Sequence, residues 1–411
     1  MSDDFFIARQ PILNQRQALV AYEILLNKKR NDSSLDDTEA TMKILDNILN
    51  HIGIENVVGK NFAFIDCNEK LLKSDILYEL NPEIFVFQIM ESVVIDESII
   101  DIVKGFKEKG YRIAIDKFTP TLEKTQRIVP ILSCLDFIKI ERPAVTLDEI
   151  GRVVKFFHTR NVKILVEKVE TEREFEDCLL ADCDFFQGYF FAKPDEVAAA
   201  KLDSNIVSIL EIVRSIDKEL DVHELENKFK LQPQLSVNLI KYLNSAAFAK
   251  RQEITSIKHA ITLLGYGHLR RWLLILAYAN KSNTASRQSP LLTGAIYRAT
   301  FFESIAKSVN MDRNTTEKAY LMGLVSNLNA LYKISLEAML AQISLDIEIN
   351  NALLHKKGKL GEILELDRHL ETDDIDKTEE LMDNLGISMQ ILTNCMLRSY
   401  EHSNKGFGDE E

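Results

Sequence analysis

The chain has 411 residues, with 50 Lys or Arg and 63 Asp or Glu, so its formal net charge is −13. This length exceeds the ~250–300 residues at which one hydrophobic core stops growing, and 46% hydrophobic residues argue against wholesale disorder, so we expect two folded domains. The acidic excess argues against general nucleic-acid binding and the lack of an ~18-residue apolar run against a membrane protein, whereas five cysteines without CxxC spacing favour a cytoplasmic protein with reduced thiols.

The first half of the chain predicts alternating strands and helices. In residues 96–109, for example, Ile99, Val103 and Phe106 recur at helical spacing, and Gly110 ends the helix. Repeated strand–helix units imply parallel strands joined by crossover helices, so about 200 residues of this pattern suit either a (β/α) barrel or an open doubly wound sheet. The apolar, strand-like runs are 19–22, 62–65, 84–89, 112–115, 137–140, 163–166 and 185–191.

The pattern changes near residues 194–203 and is helical from there to about residue 400. Apolar residues three and four apart recur throughout, and turns such as Gln232-Pro233 and Gly265-Tyr266-Gly267 separate the helices. We therefore predict an α/β domain over 1–200, an all-α domain over 201–402 and a disordered tail over 403–411. The predicted helices are 202–220, 222–229, 235–243, 257–264, 269–279, 291–309 and 315–331.

Polar side chains occur repeatedly at the ends of the predicted strands. In a parallel barrel the carboxyl ends of the strands carry the functional groups, so these side chains would converge. Such a ring of charges is typical of sites that hold divalent metals and a phosphate ester. Solvated loops explain any one of these positions equally well, but six in order favour a site. The residues are Glu23, Asp66, Asp116, Lys139, Glu167 and Gln187.

Short motifs of the first half together resemble a known family. They are Ala8-Arg9-Gln10-Pro11-Ile12, Tyr22-Glu23-Ile24-Leu25, Phe64-Ile65-Asp66, Ile89-Met90-Glu91-Ser92, Ile115-Asp116-Lys117-Phe118, Asp136-Phe137-Ile138-Lys139-Ile140, Val166-Glu167-Lys168-Val169-Glu170-Thr171 and Phe186-Gln187-Gly188-Tyr189. Each motif is weak alone, but in this order they resemble the EAL domain, the phosphodiesterase module of cyclic di-GMP signalling. The resemblance covers about residues 5–197 and implies a TIM-barrel-like (β/α)8 fold.

The resemblance also implies a mechanism. Active members of the family use two divalent cations, usually magnesium or manganese, to bind the phosphodiester, acidify a water and stabilise the leaving oxygen. Glu167 matches the carboxylate that is thought to act as the base. The residues that match the family's pocket are the carboxylates Glu23, Asp66, Asp116 and Glu167, which would ligate metal in an active enzyme, and Lys139, Glu170 and Gln187.

Several positions depart from the family pattern. Gln88 replaces a glutamate, Lys117 replaces the second Asp of the family's Asp-Asp-Phe-Gly, Asn27 replaces a phosphate-binding Arg, and Lys168 replaces a Gly. A lysine at a metal position would repel a cation, because two unit charges ~4 Å apart repel by about 4 kcal/mol at an effective dielectric constant near 20. We therefore expect a vestigial pocket that contains no metal and has lost catalysis.

The second half resembles the HDOD domain, an all-α output module similar to the HD phosphohydrolases. The resemblance rests on the stretch from Gln232-Pro233 through Leu243-Asn244-Ser245-Ala246-Ala247-Phe248 and on Ala260-Ile261-Thr262-Leu263-Leu264-Gly265. Where a metal-binding member would have His-Asp, this chain has Ser326-Asn327, and neither side chain is a useful ligand for a transition metal. This pair is therefore expected to be vestigial too.

An EAL domain followed by an HDOD domain is similar to the architecture of YuxH-type bacterial signalling proteins. We therefore expect a catalytically inactive signalling or scaffold protein that needs no cofactor and binds other signalling proteins through its HDOD domain. Two alternatives stay open: a weak cyclic di-GMP phosphodiesterase that uses Mg²⁺ or Mn²⁺, and a receptor that binds the nucleotide without turning it over. The sequence also leaves open whether the protein forms a homodimer.

Overall fold

A computed structural model describes most of the chain. The described residues are 5–28, 52–188, 190 and 204–405, except 219, 245–253, 255, 282–288, 333, 344 and 373, together with 38, 41, 42, 45 and 48. Within these ranges, no helix combines the length and the apolar character that crossing a bilayer requires.

Eight strands form a closed barrel in sequence order, so the barrel and not the open sheet is the observed topology. Strand β1 runs antiparallel to both of its neighbours, β2 and β8, whereas the other neighbouring pairs are parallel. The predicted alternation missed this reversed first strand. The strands are β1 (Phe5–Asn14), β2 (Leu19–Lys28), β3 (Phe62–Cys67), β4 (Phe85–Ile89), β5 (Arg112–Ile115), β6 (Phe137–Glu141), β7 (Lys163–Glu167) and β8 (Phe185–Gln187).

Strand β8 ends at Gln187, earlier than the predicted run 185–191. The next residue, Gly188, has φ +145°, and a Cβ atom there would lie 2.1 Å from the carbonyl oxygen of Val169. Only glycine fits this close approach of two backbone segments. The turn at Gly188 therefore holds the end of β8 against the loop that follows β7.

The barrel interior follows from the two-residue period of strands. Inward-facing apolar side chains form one buried cluster, separate from the core beneath the helices. Two residues further towards the carboxyl mouth, each strand has another side chain on the same inward face. At this position the residue is polar on every strand. The buried apolar cluster consists of Ile12, Ala21, Phe64, Val86, Ala114, Phe137 and Leu165.

The helices outside the barrel bury one face each. The helix predicted over 96–109 is confirmed: the side chain of Asp96 accepts the N–H of Ile99, and Ile99, Val103 and Phe106 are buried. The helices of this half are α1 (Ile54–Val58), α2 (Glu69–Leu72), α3 (Glu97–Glu108), α4 (Leu122–Ile128), α5 (Leu147–His158) and α6 (Glu172–Leu180).

The described part of the second half is helical, as predicted. Its helices are α7 (Ser204–Asp217), α8 (Val222–Lys230), α9 (Pro233–Leu243), α10 (Ile257–Lys281), α11 (Pro290–Ser308), α12 (Arg313–Val325), α13 (Leu328–Tyr332), α14 (Leu336–Gln342), α15 (Ile347–His355), α16 (Gly358–Glu371), α17 (Ile375–Leu385) and α18 (Met389–Lys405).

The prediction of two helices that meet at Gly265 is confirmed: α10 is interrupted there by a kink, where φ is +73° and ψ is 163°, neither of which is helical. Two other predicted boundaries in this half were wrong. The single helix predicted over 315–331 is broken at Ser326-Asn327 into α12 and α13. Helix α18 continues to Lys405, so residues 403–405 of the predicted tail are helical, and the rest of that tail lies outside the described residues.

The two halves of the chain pack together through α18, which contacts β1 and α1. The guanidinium of Arg9 lies 4.2 Å from the ring centres of both Tyr22 and Tyr400. The same group donates to Ser403 Oγ at 2.9 Å and to Asn404 Oδ1 at 3.1 Å. The last helix is therefore tied directly to the first strand of the barrel.

Candidate functional site

The candidate site is a layer of polar side chains inside the carboxyl mouth of the barrel. Each strand contributes one of them, two residues beyond an apolar inward position. Seven are residues that the sequence singled out, and the structure brings them together. The layer consists of Gln10, Glu23, Asp66, Gln88, Asp116, Lys139, Glu167 and Gln187.

Lys139 is the cation of this layer. Its ammonium lies 2.5 Å from Glu23 Oε1, 3.0 Å from Glu167 Oε2 and 3.5 Å from Asp116 Oδ1. The Lys139 side chain is only 3% exposed, so these contacts are made in a weakly screened environment. Lys139 therefore neutralises part of the charge of the surrounding carboxylates.

Two glutamine amides donate to carboxylates of the layer. Gln88 Nε2 donates to Glu23 Oε1 and to Asp66 Oδ1, both at 2.8 Å. Gln187 Nε2 donates to Glu23 Oε2 at 2.5 Å and to Gln10 Oε1 at 2.8 Å. Glu23 therefore accepts from three donors, which makes it the centre of the network.

The pKa values of the central pair follow from these contacts. Burial alone would raise the pKa of Glu23, but the charge of Lys139 and the hydrogen bonds from Lys139, Gln187 and Gln88 hold it below its usual range. Burial would lower the pKa of Lys139, but the charges of Glu23, Glu167 and Asp116 raise it instead. Glu23 and Lys139 thus form an ion pair at neutral pH.

The outer carboxylates behave differently. Burial, and then the charges of Glu23 and Asp116, raise the pKa of Asp66 to about 7. Burial also raises the pKa values of Asp116 and Glu167, and in both cases Lys139 opposes the shift. When all four carboxylates are ionised, one lysine leaves a net charge of −3 in the layer. The layer therefore attracts protons or cations.

The residues that follow Asp116 and Glu167 have unusual backbone conformations. Lys117 has φ +48° and Lys168 has φ +57°, in the left-handed region that favours glycine. Lys117 is exposed and its charge acts on the adjacent Asp116, whereas the ammonium in contact with the carboxylates is that of Lys139. That Lys117 would repel a metal ion at this position stays a prediction. Lys168 is paired with Glu141 outside the layer.

Two other predicted positions lie outside the layer or cannot be placed in it. Glu170 is half-buried beyond the end of β7, and its backbone N–H donates to Glu174 Oε2 at 2.8 Å. The side chain of Asn27 lies outside the described residues.

The Gln88 amide engages two of the carboxylates that would ligate a divalent cation. Each such ion needs several oxygen ligands, and Gln88 donates to Glu23 and Asp66, while Lys139 also contacts Glu23. Three buried oxygens, Asp116 Oδ1, Glu167 Oε1 and Gln88 Oε1, accept no hydrogen bond, although Asp116 Oδ1 lies 3.5 Å from the Lys139 ammonium. Among the described residues, no group of three or more His, Cys, Asp or Glu side chains is arranged to hold a metal.

The Ser326-Asn327 pair lies at the break between α12 and α13. Ser326 Oγ donates to the carbonyl oxygen of Gly323 at 2.8 Å, and Asn327 lines a cavity between the two halves of the chain. A hydroxyl bound back to its own helix satisfies a local carbonyl. Ser326 thus has a structural role at the end of α12, and Asn327 lies at the cavity between the two halves.

Sequence reasoning missed Gln10 as a member of the layer. Gln10 pairs with Glu23 across β1 and β2, and its Nε2 donates to the carbonyl oxygen of Glu371 in α16 at 2.9 Å. The available signal was its position two residues before the inward Ile12, but that spacing places Gln10 at the carboxyl mouth only once β1 is known to run antiparallel. Gln10 links the layer to the helical half.

Comparisons with family models identify both halves of the chain. A model of the EAL domain matches residues 66–194, and a model of the HDOD domain matches residues 201–360. The Bacillus subtilis protein YuxH is 28% identical over 385 residues, which are 92% of this chain and 94% of that protein. The Vibrio cholerae cyclic di-GMP phosphodiesterase CdgJ is 27% identical over 394 residues, which are 94% of this chain and 89% of that protein.

Solved structures give weaker matches. The EAL domain of Xanthomonas citri FimX, solved in complex with cyclic di-GMP, is 14% identical and covers 48% of this chain and 91% of its own, with a TM-score of 0.38. The two family matches confirm the architecture that the motifs predict. The chain consists of an EAL domain followed by an HDOD domain.

Proposed function

We propose that this EAL–HDOD protein acts in cyclic di-GMP signalling as a non-hydrolysing signal-transduction or scaffold protein. In this proposal the barrel receives the nucleotide or a partner, and the HDOD domain binds other signalling proteins. CdgJ is named as a cyclic di-GMP phosphodiesterase, and it matches 94% of this chain and 89% of its own length. This similarity supports a link to cyclic di-GMP.

One observation supports the proposed loss of catalysis. The Gln88 amide donates to both Glu23 and Asp66, at a position where the resembled family has a metal-binding glutamate. An amide donor satisfies these carboxylates without any ion, whereas a glutamate there would add a fifth negative charge and require cations. This arrangement supports a pocket in which Glu23 and Asp66 have hydrogen-bond partners without a metal ion.

A metal-dependent cyclic di-GMP phosphodiesterase is the second candidate. CdgJ is named as such an enzyme, and three buried oxygens of the layer lack hydrogen-bond partners. The net charge of the four carboxylates and Lys139, together with the raised pKa of Asp66, would also favour a bound cation. In this candidate, Glu167 would accept a proton from the attacking water.

A hydrolysis assay separates the two candidates. The protein is incubated with cyclic di-GMP and Mn²⁺ or Mg²⁺, and the products are separated by chromatography. We expect no linear dinucleotide from the parent protein, but metal-dependent product from the Gln88→Glu/Lys117→Asp double variant, which restores the family's ligands. Product from the parent that a Glu167→Gln variant abolishes would contradict the proposal and establish the phosphodiesterase.

Calorimetry distinguishes a receptor from a pure scaffold. Cyclic di-GMP is titrated into the protein at tens of micromolar, with Mg²⁺ and with EDTA. Heat that is the same in both conditions supports a metal-independent receptor, and no heat in either leaves only partner binding. A heat that requires Mg²⁺ would count against the proposed metal-free pocket.

We also propose a cytoplasmic location, because all five cysteines are free and buried, as suits a reducing compartment.

Light scattering on the purified full-length protein tests whether it forms a homodimer. A mass near 47 kDa identifies a monomer, and twice that value identifies a dimer.

A further inference from the structure

A cavity of about 110 Å³ lies at the junction between the barrel and the helical domain. Strands β1, β2 and β8 form one side of it, and helices α11, α16 and α18 form the other. It is separate from the interior of the carboxylate layer, although Gln10 and Gln187 belong to both. A cavity this size is somewhat smaller than the ~150 Å³ engineered cavity that binds benzene.

The walls of this junction cavity are largely aromatic and aliphatic. Tyr22 comes from the barrel, and Tyr297 and Tyr400 come from the helical domain. The rings of Tyr297 and Tyr400 are stacked, with centres 5.0 Å apart. Phe301 also stacks on Tyr297, and the Arg9 guanidinium lies over Tyr22 and Tyr400, so partners within the protein already cover faces of these rings. The wall therefore offers a small ligand apolar contact and few open ring faces.

Two buried acceptors in the wall lack partners, one from each domain. Gln187 Oε1 and Asp367 Oδ1 are buried, and neither has a hydrogen-bond partner. The orientation of the Gln187 amide is fixed, because its Nε2 donates to Glu23, and an ionised carboxylate only accepts. Asp367 Oδ2, in contrast, accepts from Arg298 Nε at 2.7 Å. Buried acceptors normally have a donor, so these two oxygens indicate the polarity of a missing partner.

The charged residues of the cavity wall do not supply the missing donor. Two guanidiniums, Arg9 and Arg298, and two carboxylates, Asp367 and Glu371, line the cavity, so their formal charges balance. Arg9 donates to Asn404 and Ser403, and Arg298 donates to Asp367 Oδ2 and to both oxygens of Glu371. These donors are engaged while Asp367 Oδ1 has none, so a ligand that carries donors would complete the group.

We propose that the junction cavity binds a small planar ligand that presents N–H donors, of the amidine or amino-heteroaromatic class. The ligand packs against the apolar wall and donates to Gln187 and Asp367, with a small adjustment of these side chains. It would contact both domains, and Gln187 would connect it to Glu23 in the barrel layer. This inference holds whether or not the barrel hydrolyses cyclic di-GMP.

Benzamidine and benzoate form a matched pair of probes for the full-length protein. They have nearly the same shape, but benzamidine carries only donors and benzoate carries only acceptors. Binding is measured by ligand-observed NMR and by thermal unfolding. We expect benzamidine to raise the unfolding midpoint by roughly 2–4 °C at a concentration about tenfold above its Kd, and benzoate to have no effect.

A cavity-filling variant locates the binding. Gly294 lines the cavity within α11, and a Cβ atom there would meet no atom within 4 Å, so Gly294→Met fills space without a backbone clash and improves helix propensity. We expect this variant to lose at least tenfold in affinity for benzamidine. Asp367→Asn, which replaces one carboxylate oxygen by a donor, is expected to weaken it several-fold.

Three results would overturn the inference. The first is that neither probe binds, the second is that benzoate binds as well as benzamidine, and the third is that Gly294→Met keeps the parent affinity. Selective binding of benzamidine that Gly294→Met abolishes would establish the site.

Discussion

The barrel and the helical domain each contain a buried cation among carboxylates. The two cations differ in how closely they pair with these carboxylates. In the helical domain, Arg298 binds Asp367 through Nε and both oxygens of Glu371 through Nη2. In the barrel, Lys139 makes one short contact, with Glu23, and longer contacts with Glu167 and Asp116. The planar guanidinium matches its partners in shape, whereas the ammonium is shared between several.

This difference separates a structural ion cluster from a candidate site. The Arg298 cluster leaves one unpartnered carboxylate oxygen and a formal charge of −1, whereas the barrel layer leaves unpartnered oxygens on Asp116 and Glu167 and a charge of −3. Uncompensated charge and unpartnered groups are typical of sites that await a ligand. The following predictions test this contrast, beginning with the largest expected effect.

Removing the barrel cation should have the largest effect. Lys139→Met leaves four buried carboxylates without an ammonium, and breaking a buried pair in this way costs about 3–5 kcal/mol. The cost should be smaller at pH 5.5 than at pH 8, because the carboxylates can then be protonated. Urea unfolding at both pH values measures the change in the free energy of unfolding.

The matched control for this variant is Lys163→Met. Lys163 pairs with Asp184 at 2.8 Å but is 54% exposed, so its loss should cost less than about 1 kcal/mol. Equal destabilisation by the two variants would show that Lys139 is no more important to the fold than a surface lysine.

The helical cluster should lose less when its cation is removed. Arg298→Met leaves two carboxylates, and Glu371 is 31% exposed and can be hydrated, so we expect a cost of about 2–3 kcal/mol in urea unfolding. Arg298→Lys should fall between this variant and the parent, because lysine cannot reproduce the fork of hydrogen bonds. A larger loss for Arg298→Met than for Lys139→Met would reverse the comparison.

The raised pKa of Asp66 predicts a pH dependence of stability. Its pKa is about 7 in the folded protein, whereas an unfolded Asp titrates near ~3.9, so between these values the folded state binds more protons. The free energy of unfolding should therefore fall as the pH rises from ~4 through 7. Asp66→Asn removes this contribution, and should stabilise the protein by on the order of 1 kcal/mol at pH 8 and very little at pH 5.

Asp101→Asn controls for the change in net charge, because Asp101 is exposed on α3. Unfolding curves of both variants from pH 5 to pH 8 check the prediction. The same pH slope in Asp66→Asn and in the parent would remove Asp66 as its source.

The smallest expected effect concerns the backbone at the rim of the barrel. Lys117 has φ +48° and is exposed, so Lys117→Gly relieves the strain of a left-handed residue, partly offset by the greater freedom of glycine in the unfolded chain. We expect a gain of about 0.5 kcal/mol in thermal unfolding. Lys356→Gly, at the left-handed end of α15, is the matched change in the helical domain and should gain a similar amount.

Much of the barrel site could be predicted from the sequence, because it depends on a period of two. Asp66, Asp116 and Glu167 stand at the ends of apolar runs, and the closed barrel brings those ends together. Lys139 and Gln187 were identified in the same way. Their hydrogen-bond partners could not be predicted, because these depend on which side chains face each other across the barrel.

The errors have physical reasons as well. The sequence could not tell which lysine contacts the carboxylates: Lys139 does so from within β6, whereas Lys117 follows the end of β5 in a left-handed conformation and is exposed. The break at Ser326-Asn327 was missed because apolar residues continue on both sides of it. The junction cavity could not be predicted from the sequence, because it forms only where distant segments of the chain meet.

The contact of α18 with β1 has a consequence for how this protein is made. The first strand leaves the ribosome long before the last helix exists, yet Ser403 and Asn404 supply hydrogen bonds to Arg9, and the Tyr400 hydroxyl donates to the carbonyl oxygen of Ile7 at 3.2 Å. A nascent barrel therefore exposes this face until α18 has been synthesised. Ribosome-bound chains that stop before α18 should recruit chaperones at β1, and chains in which α18 has left the ribosome should not.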